Sequence, residues 1–351
     1  MIKFIKKLLR SLLILALLLV VAAAVFYYTK LDQISYSDGK RPDATAPSQT
    51  LSQQVFNPDD QVIPEDRMEG LETSPTEPKI PDQEIQKADD IQNILLIGTD
   101  ERSKSFTWDA RSDSMILVSI NKTKKTVKLV SLERGMGAPV LDGPHKGEWD
   151  WLTHIFFYGG ADLLMRTVEE CFRVEVDRYV RINFNTITSA VDAIGGIEIE
   201  MTPAEAGFFC NEIQRPMSVG VNRLDGYEAM MFARLRAIDS DWQRVERQRK
   251  VIMAVANELK NADIMELNAL ADQVLPLVQT NLTKWEITQL LLYAPDFMNS
   301  EFDQMTLPKS GTYGIAFGMG GRGYFAADFD VNAQLLKDFL YGTEESTPTK
   351  E

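Results

Sequence analysis

Residues 233–250 read ARLRAIDSDWQRVERQRK and hold Arg234, Arg236, Arg244, Arg247, Arg249 and Lys250 beside Asp239, Asp241 and Glu246. A guanidinium is a planar fork of five N–H donors that matches phosphate or carboxylate oxygens. Taken alone, such a charge run is usually a solvated helix face laced with Glu–Arg pairs. A helix starting near Asp241, whose carboxylate is suited to cap it, puts Arg244, Arg247 and Gln248 at i, i+3 and i+4 on one face. Trp242, Val245 and the apolar run 251–255 turn elsewhere. Three donors converging on one side can hold a diphosphate. Arg249 and Lys250 fall off that face and are expected in solvent.

A second set of charged groups recurs at the ends of apolar runs. GTDER places Asp100 and Arg102 just after one run, ARSDSM places Arg111 and Asp113 just before the next, and SLERG places Arg134 at the end of a third. In open α/β sheets, ligands gather outside strand ends. Two carboxylates and three arginines at one sheet edge suit a divalent cation and a phosphorylated ligand, because Mg²⁺ typically takes one or two carboxylates and completes its shell with phosphates and water. Each motif taken singly is equally well read as loop ion pairs.

The elements that must position these groups are legible. IQNILLIGTD reads as a buried strand followed by a loop, and SMILVSINKTKKTVKLVSLER as a hairpin of two long strands about a polar NKTKK centre. GGADLLMRTVEECF has helical spacing after two glycines, VDRYVRINF and IEIEMT read as strands, and NTITSAVDAIGG reads as a helix with Asn185 as cap and a glycine stop. LDGYEAMMFARLR is a helix that delivers Arg234 and Arg236 near its end. The Asp241 helix runs to about Lys260, and further helices fill 264–298. The GMGGRG stretch at 318–323 spells G-x-G-x-x-G, but it lacks a following βαβ unit and is expected to be a turn. Strands alternating with helices predict an α/β layered fold.

Residues 12–28 run 17 positions without a charge, after Lys3, Lys6, Lys7 and Arg10. That length is at the short end for a membrane span, and the basic flank puts the N-terminus in the cytoplasm. The run exceeds the usual apolar core of a signal peptide, so an uncleaved anchor is expected rather than cleavage near Ala22–Ala24. Under either reading the remaining chain is extracytoplasmic. Of 37 Lys+Arg, 33 lie beyond the span against 51 Asp+Glu, a net of about -18. Such a surface repels nucleic acid, and the arginine cluster is left for a smaller anion. Residues 29–90, rich in Pro, Asp, Gln, Ser and Thr, read as a flexible spacer. Export permits a disulfide between Cys171 and Cys210, but their spacing does not decide it. Cysteines and histidines (His145, His154) show no zinc spacing.

The ordered set NILLIGTDER, RSDSMILVSINKTKKTVKLVSLER, YGGADLLMRTVE, RYVRINF, VDAIGGIEIEM, LDGYEAMMFARLR and SDWQRVERQRKVI resembles the LytR-CpsA-Psr family over about residues 92–262, and less strongly over 305–341. The resemblance implies an α/β/α sandwich with a mixed central sheet and an apolar prenyl pocket at 91–341. Before it come a cytoplasmic tail (1–11), a single-pass membrane anchor (12–28) and the spacer (29–90), and after it a disordered tail (342–351). The implied activity is Mg²⁺-dependent transfer of a glycopolymer phosphate from a polyprenyl diphosphate carrier to peptidoglycan, outside the cytoplasm. Carried onto this chain, the metal-linked aspartates are Asp100 and Asp113. The diphosphate ligands are Arg111, Arg134, Arg234, Arg236, Arg244, Arg247 and Gln248, and Arg134, Asp241 and Arg244 are the implied catalytic residues. There are departures. The family's S-I-P-R-D reads SLERG here, so Glu133 replaces proline and Gly135 replaces aspartate, and its Lys-x-Asn appears as Trp151 and Thr153. The lost aspartate leaves the general base open. His154 is a possible substitute, though a packed histidine is the expectation. The alternative is a non-catalytic polyprenyl-phosphate-binding or envelope regulatory protein.

Overall fold

The computed structural model describes residues 26–42, 78–101, 105–235, 238, 241–260, 262, 264–298 and 302–342 of the 351. At its centre is a mixed seven-stranded sheet of order β1-β10-β7-β2-β3-β4-β11. In chain order its strands are β1 (Ser35–Tyr36), β2 (Ile91–Thr99), β3 (Ser112–Asn121), β4 (Thr126–Leu132), β7 (Arg178–Asn183), β10 (Gln279–Thr280) and β11 (Phe302–Leu307). The hairpin expected around NKTKK is β3–β4, in antiparallel register from Asn121↔Thr126 to Ile116↔Ser131. Strand β2 lies antiparallel to β3 and parallel to β7. Three two-stranded ribbons flank the sheet: β5 (Gly137–Pro139) with β6 (Trp149–Trp151), β8 (Ile197–Met201) with β9 (Gly220–Leu224), and β12 (Tyr313–Phe317) with β13 (Gly323–Ala327). GMGGRG is the turn of that last ribbon, as expected.

Strand side chains alternate between faces, and here both faces are covered. Leu95, Ile97, Leu117 and Val130 pack on helices α1 (Leu152–Phe172) and α8 (Phe329–Tyr341). Ile94, Ile116 and Leu129 pack on the other side, against α5 (Asp241–Leu259) and α7 (Lys284–Met298). A separate apolar cluster joins α2 (Phe184–Ala193), α3 (Pro203–Asn211) and α4 (Gly226–Arg234) to β8, β9 and α5. Helix α6 (Ile264–Val274) lies against α2. The result is helix on both faces of a mixed sheet.

Three expectations need correction. Helix α1 starts at Leu152, nine residues before Ala161, and bends at Gly160 (φ 79°) instead of beginning after the two glycines. The bend accommodates the N-terminal segment: a Cβ on Gly160 would lie 2.3 Å from the Gly39 carbonyl, a contact only glycine permits. The cap of α2 is Asn183, not Asn185. Its side chain accepts from the Asn185 and Thr186 amides, and the Thr186 hydroxyl closes the reciprocal bond.

The spacer is also shorter at both ends than 29–90. Leu31 and Ile34 are buried, β1 pairs with β10, and Arg41 donates to the Trp108 and Phe157 carbonyls. Gln86 bonds to Arg173 and Glu175 backbone groups. Residues 29–42 and 78–90 therefore belong to the domain, because their few apolar groups find seats on it, while 43–77 lie outside the described residues. So does most of the expected span at 12–28 and all of 343–351. Among the described residues no helix is long and apolar enough to cross a membrane. Cys171 and Cys210 are both free, the first buried and the second exposed.

Candidate functional site

The ends of β2 and β7, the start of β3 and the start of α2 meet at one edge of the sheet, because Thr99 pairs with both Ser112 and Asn183. Asp100 follows β2 there. Its Oδ1 accepts the Arg111 amide at 2.9 Å, and its Oδ2 accepts Nε and Nη2 of the Arg111 guanidinium, both at 3.0 Å. Asp113 is two residues along β3's side of the same edge, and its Oδ1 accepts Arg134 Nη1 at 3.0 Å. The Arg134 guanidinium also lies 5.9 Å from the Trp151 ring. Arg244, one turn into α5, reaches from the opposite side and sets Nη2 3.5 Å from the Asp113 carbonyl oxygen. Three arginines and two aspartates from four separate motifs thus converge.

The loop that presents Asp100 is clamped from beneath. Arg181 is fully buried and donates to Glu101 Oε1, to the Thr107 carbonyl and, at 3.0 Å, to Gln279 Oε1. The Thr99 hydroxyl and the Thr107 amide donate to the same Glu101 carboxylate. Burial lowers the guanidinium's pKa from its ordinary value, and the Glu101 charge opposes that fall. Sequence reasoning missed this pair. Arg181 sits inside a strand, and Glu101 is the unremarked residue between Asp100 and Arg102 in GTDER.

Beside the charged edge opens a cavity holding about 1030 Å³ of empty space, mouth included. Thr99, Asp113 and Asn183 line it at the element ends just described, joined by Arg234 at the end of α4 and Gln248 two turns into α5. Leu96, Ile187, Ala190, Val251, Ile252 and Val255 line it one to three turns further along α2 and α5 or deeper along β2. Arg234 is exposed, and its guanidinium stands 4.4 Å from the Phe184 ring. A polar rim above a greasy interior suits an amphiphile with an anionic head and an apolar tail.

Several expected residues fall elsewhere. Arg247 shares a helical face with Arg244 and is as deeply buried (3 % and 2 % exposed), but its Nε donates to Glu205 Oε1 at 2.6 Å and its Nη1 to the Leu235 carbonyl at 2.9 Å. Burial by itself would raise the Glu205 carboxyl. The Thr202 amide and the Arg247 guanidinium outweigh burial and hold it below the ordinary carboxylate range. Arg249, expected in solvent, is buried, donating to Ser131 Oγ at 2.9 Å and Thr306 Oγ1 at 2.6 Å on β4 and β11. Lys250 is exposed as expected. Arg102, Arg236 and the Asp241 side chain lie outside the described residues, although Asp241 does open α5.

His154 is a packed residue. It stacks on Trp151 and bonds through Nδ1 to Asp150 Oδ2 at 3.0 Å, in a buried group with Tyr158 and Arg322. Gly135 does not have a left-handed backbone. A Cβ there would meet the Phe325 ring at 3.5 Å and Glu133 Oε1 at 3.8 Å.

Asp100 and Asp113 are 24 % and 19 % exposed at the side chain, and no group of three or more acidic, histidine or cysteine side chains stands ready for a metal among the described residues. The donor set matches a hard divalent cation whose remaining ligands come from a bound phosphate and water. It does not match an all-protein cage.

Known proteins share this architecture. The polyisoprenyl-teichoic acid–peptidoglycan teichoic acid transferase TagU of Enterococcus faecalis is 32% identical over 196 residues, which cover 54% of this chain and 60% of TagU. The corresponding TagT of Bacillus subtilis is 30% identical over 233 residues, or 64% of this chain and 70% of TagT. The chain thus spans less than two thirds of the first relative's length. Among solved structures, TagT bound to LI-WTA superposes with a TM-score of 0.58 at 26% identity, covering 75% of this chain and 94% of that one. The LytR_cpsA_psr family model matches residues 51–336, and with the convergent aspartates and arginines beside an apolar cavity it establishes that the chain belongs to the LytR-CpsA-Psr family.

Proposed function

We propose that this protein transfers a glycopolymer phosphate, of the teichoic acid class named for its relatives, from a polyprenyl diphosphate carrier to peptidoglycan at the outer side of the cell membrane. The observation that carries this reading is the apolar cavity rimmed by Asp113, Arg234 and Gln248, beside the Asp100–Arg111 and Asp113–Arg134 pairs. The prenyl tail would occupy the greasy interior, and the diphosphate would lie at the rim.

Arg134 and Arg244 approach Asp113 from two sides, so a diphosphate at that point accepts donors from both. Each charge-assisted hydrogen bond contributes about 1.5–3 kcal/mol. Arg111 and Arg234 extend the donor set, and Asp241 stands at the head of α5 on the same edge. Asp100 and Asp113 would hold Mg²⁺, which supplies neutralisation of phosphate charge when bound. A peptidoglycan hydroxyl attacks the glycan-side phosphorus. The bond from that phosphorus to the bridging oxygen breaks, polyprenyl phosphate leaves with the oxygen, and the hydroxyl proton ends on that leaving phosphate. Such catalysis is chiefly positioning and charge stabilisation. The Glu101–Arg181 clamp fixes the Asp100 loop, and Trp151 supports the Arg134 guanidinium from its side. The change from aspartate to Gly135 does not favour the non-catalytic alternative, because the Cβ direction at 135 leads to Phe325 and Glu133.

The test is incubation of the full chain in lipid vesicles with a polyprenyl diphosphate-linked glycan and a peptidoglycan fragment, with and without a chelator. Glycan on the fragment and stoichiometric polyprenyl monophosphate are expected. Tight binding with no monophosphate released would leave only the binding function.

A further inference from the structure

Outside the site, one group of exposed apolar side chains lies on α7 and beside it at residues 26–28. Trp285 and Leu292 lie seven residues apart on α7 and are 64 % and 69 % exposed, with Leu291 beside them at 53 %. Trp285, Thr288 and Leu292 follow i, i+3, i+7 spacing and form one stripe. Tyr27 hydroxyl meets Thr288 Oγ1 at 3.2 Å, in the middle of that stripe. Phe26 and Tyr28, on either side of Tyr27, are themselves exposed. The ammonium of Lys284 stands 5.8 Å from the Tyr28 ring and pairs with Asp32, and Lys30 pairs with Asp272 of α6. The basic groups beside these aromatics are thus neutralised, while the rings and leucines are left bare.

We infer that the outer face of α7, together with residues 26–28, rests on the lipid bilayer. This rests on the proposed anchoring by residues 12–28. Three observations choose lipid over other occupants. The exposed patch contains the last three residues of the 17-residue uncharged run, so the chain leaves the domain through the patch itself. Its composition, Trp and Tyr rings flanked by lysines with leucines between, is that of side chains seated at a membrane–water interface. The short link from Tyr28 to β1 holds this face against the anchor, because Leu31 and Ile34 are buried in the domain. Helix α6, which Lys30 grips at Asp272, also walls the apolar cavity through Val274. Helix α6 therefore touches both the cavity wall and Lys30, two residues beyond the patch.

The test uses the full chain in phosphatidylcholine–phosphatidylglycerol vesicles made with ordinary or brominated acyl chains, read by tryptophan emission. Trp108, Trp149, Trp151 and Trp242 are buried or half-buried and form the background. Brominated lipid should cut the Trp285 component by roughly twofold, as expected for a ring at the acyl boundary. The loss should vanish in Trp285→Phe, and in Leu291→Asp/Leu292→Asp the Trp285 emission should become quenchable by aqueous iodide instead. Co-flotation of the protein with the vesicles checks the anchor separately. If the chain floats but Trp285 answers only to iodide, the face is bare and the inference is overturned while the anchoring stands. If Trp285 answers to neither quencher and cross-links to a second copy, a protein partner covers it and the inference is again overturned. Failure to float with the vesicles overturns both readings.

Discussion

Arg247→Met separates a structural arginine from a ligand-binding one. Helical spacing puts Arg247 beside Arg244, so a purely sequential reading assigns both to the diphosphate. In the folded chain Arg247 instead closes a buried pair with Glu205, the two side chains being 3 % and 4 % exposed. Removing one partner from such a pair typically costs about 3–5 kcal/mol. The cost here belongs at the low end, because Glu205 Oε2 keeps the Thr202 amide and hydroxyl at 2.8 and 3.0 Å, and only Oε1 is orphaned. The Leu235 carbonyl loses a donor as well, for about 1 kcal/mol. A loss of about 3–4 kcal/mol lowers the Tm of a domain this size by roughly 6–16 °C. Circular dichroism melting of the wild type, Arg247→Met, Glu205→Gln and the double variant measures it. The double variant should recover more than half of the loss, because neither member is then left charged and unpaired. Retention of the wild-type Tm by Arg247→Met, with binding of the diphosphate lipid weakened by about tenfold, would refute the argument and return Arg247 to the ligand.

Arg249→Ala should behave similarly: it strips donors from Ser131 and Thr306 between two strands and should destabilise by about 2–4 kcal/mol, with lipid affinity unchanged when measured below the melting range. Asp113→Asn should lower chelator-sensitive transfer by at least about tenfold, read as released polyprenyl monophosphate, while leaving the Tm within roughly 3 °C. The Asp150 carboxyl is lowered from an ordinary 3.8 to about 2: burial opposes this, and His154, Arg322 and Tyr158 outweigh it. A depressed carboxylate stabilises the fold above its unfolded pKa and loses that contribution as pH falls through the folded value, so about 2 kcal/mol should disappear between roughly pH 4 and 2. Urea melts of Asp150→Asn should lack that step. Gly135→Asp should fold, because the backbone there is ordinary, but should lose about 1–3 kcal/mol from a carboxylate set beside buried Glu133, with no gain in transfer rate.

The centre of the sheet was readable because β2, β3 and β4 are long apolar runs with sharp polar ends, whereas β1, β10 and β11, the first two only two residues long, were not. Ile91–Thr99, Ser112–Asn121 and Thr126–Leu132 fall where alternation predicts them. The start of α1 was not readable, since WDWLTHIFFY is aromatic throughout and the two glycines imitate a boundary. Only the N-terminal segment crossing at Gly39 explains a bend in their place. The convergence of Asp100, Arg111, Asp113, Arg134 and Arg244 was legible because each lies at or near an end of β2, β3, β4 or α5, and the strand pairing brings those ends to one edge. Arg247 and Arg249 were misjudged for a common reason. Helical spacing says which residues share a face, but the partners waiting there, Glu205, Ser131 and Thr306, lie 42 or more positions away in the chain. Arg181 gave no signal, because an arginine in a strand predicts an exposed edge and not a clamp beneath a loop.

The Asp100–Arg111 and Asp113–Arg134 pairs have a consequence for selectivity. An arginine cluster with no counter-ions would be a general anion trap, filled by whatever phosphate or chloride the medium supplies. Here two of the guanidiniums are already engaged by carboxylates of the same chain, so an incoming anion must outcompete a tethered rival of very high local concentration. A single small anion offers too little for that exchange. A diphosphate arriving with a divalent cation offers the aspartates and the arginines new partners in one event, and its tail adds the free energy of filling the cavity. On the proposed function, the resting ion pairs would set a threshold that a lipid-borne diphosphate crosses and small free anions do not.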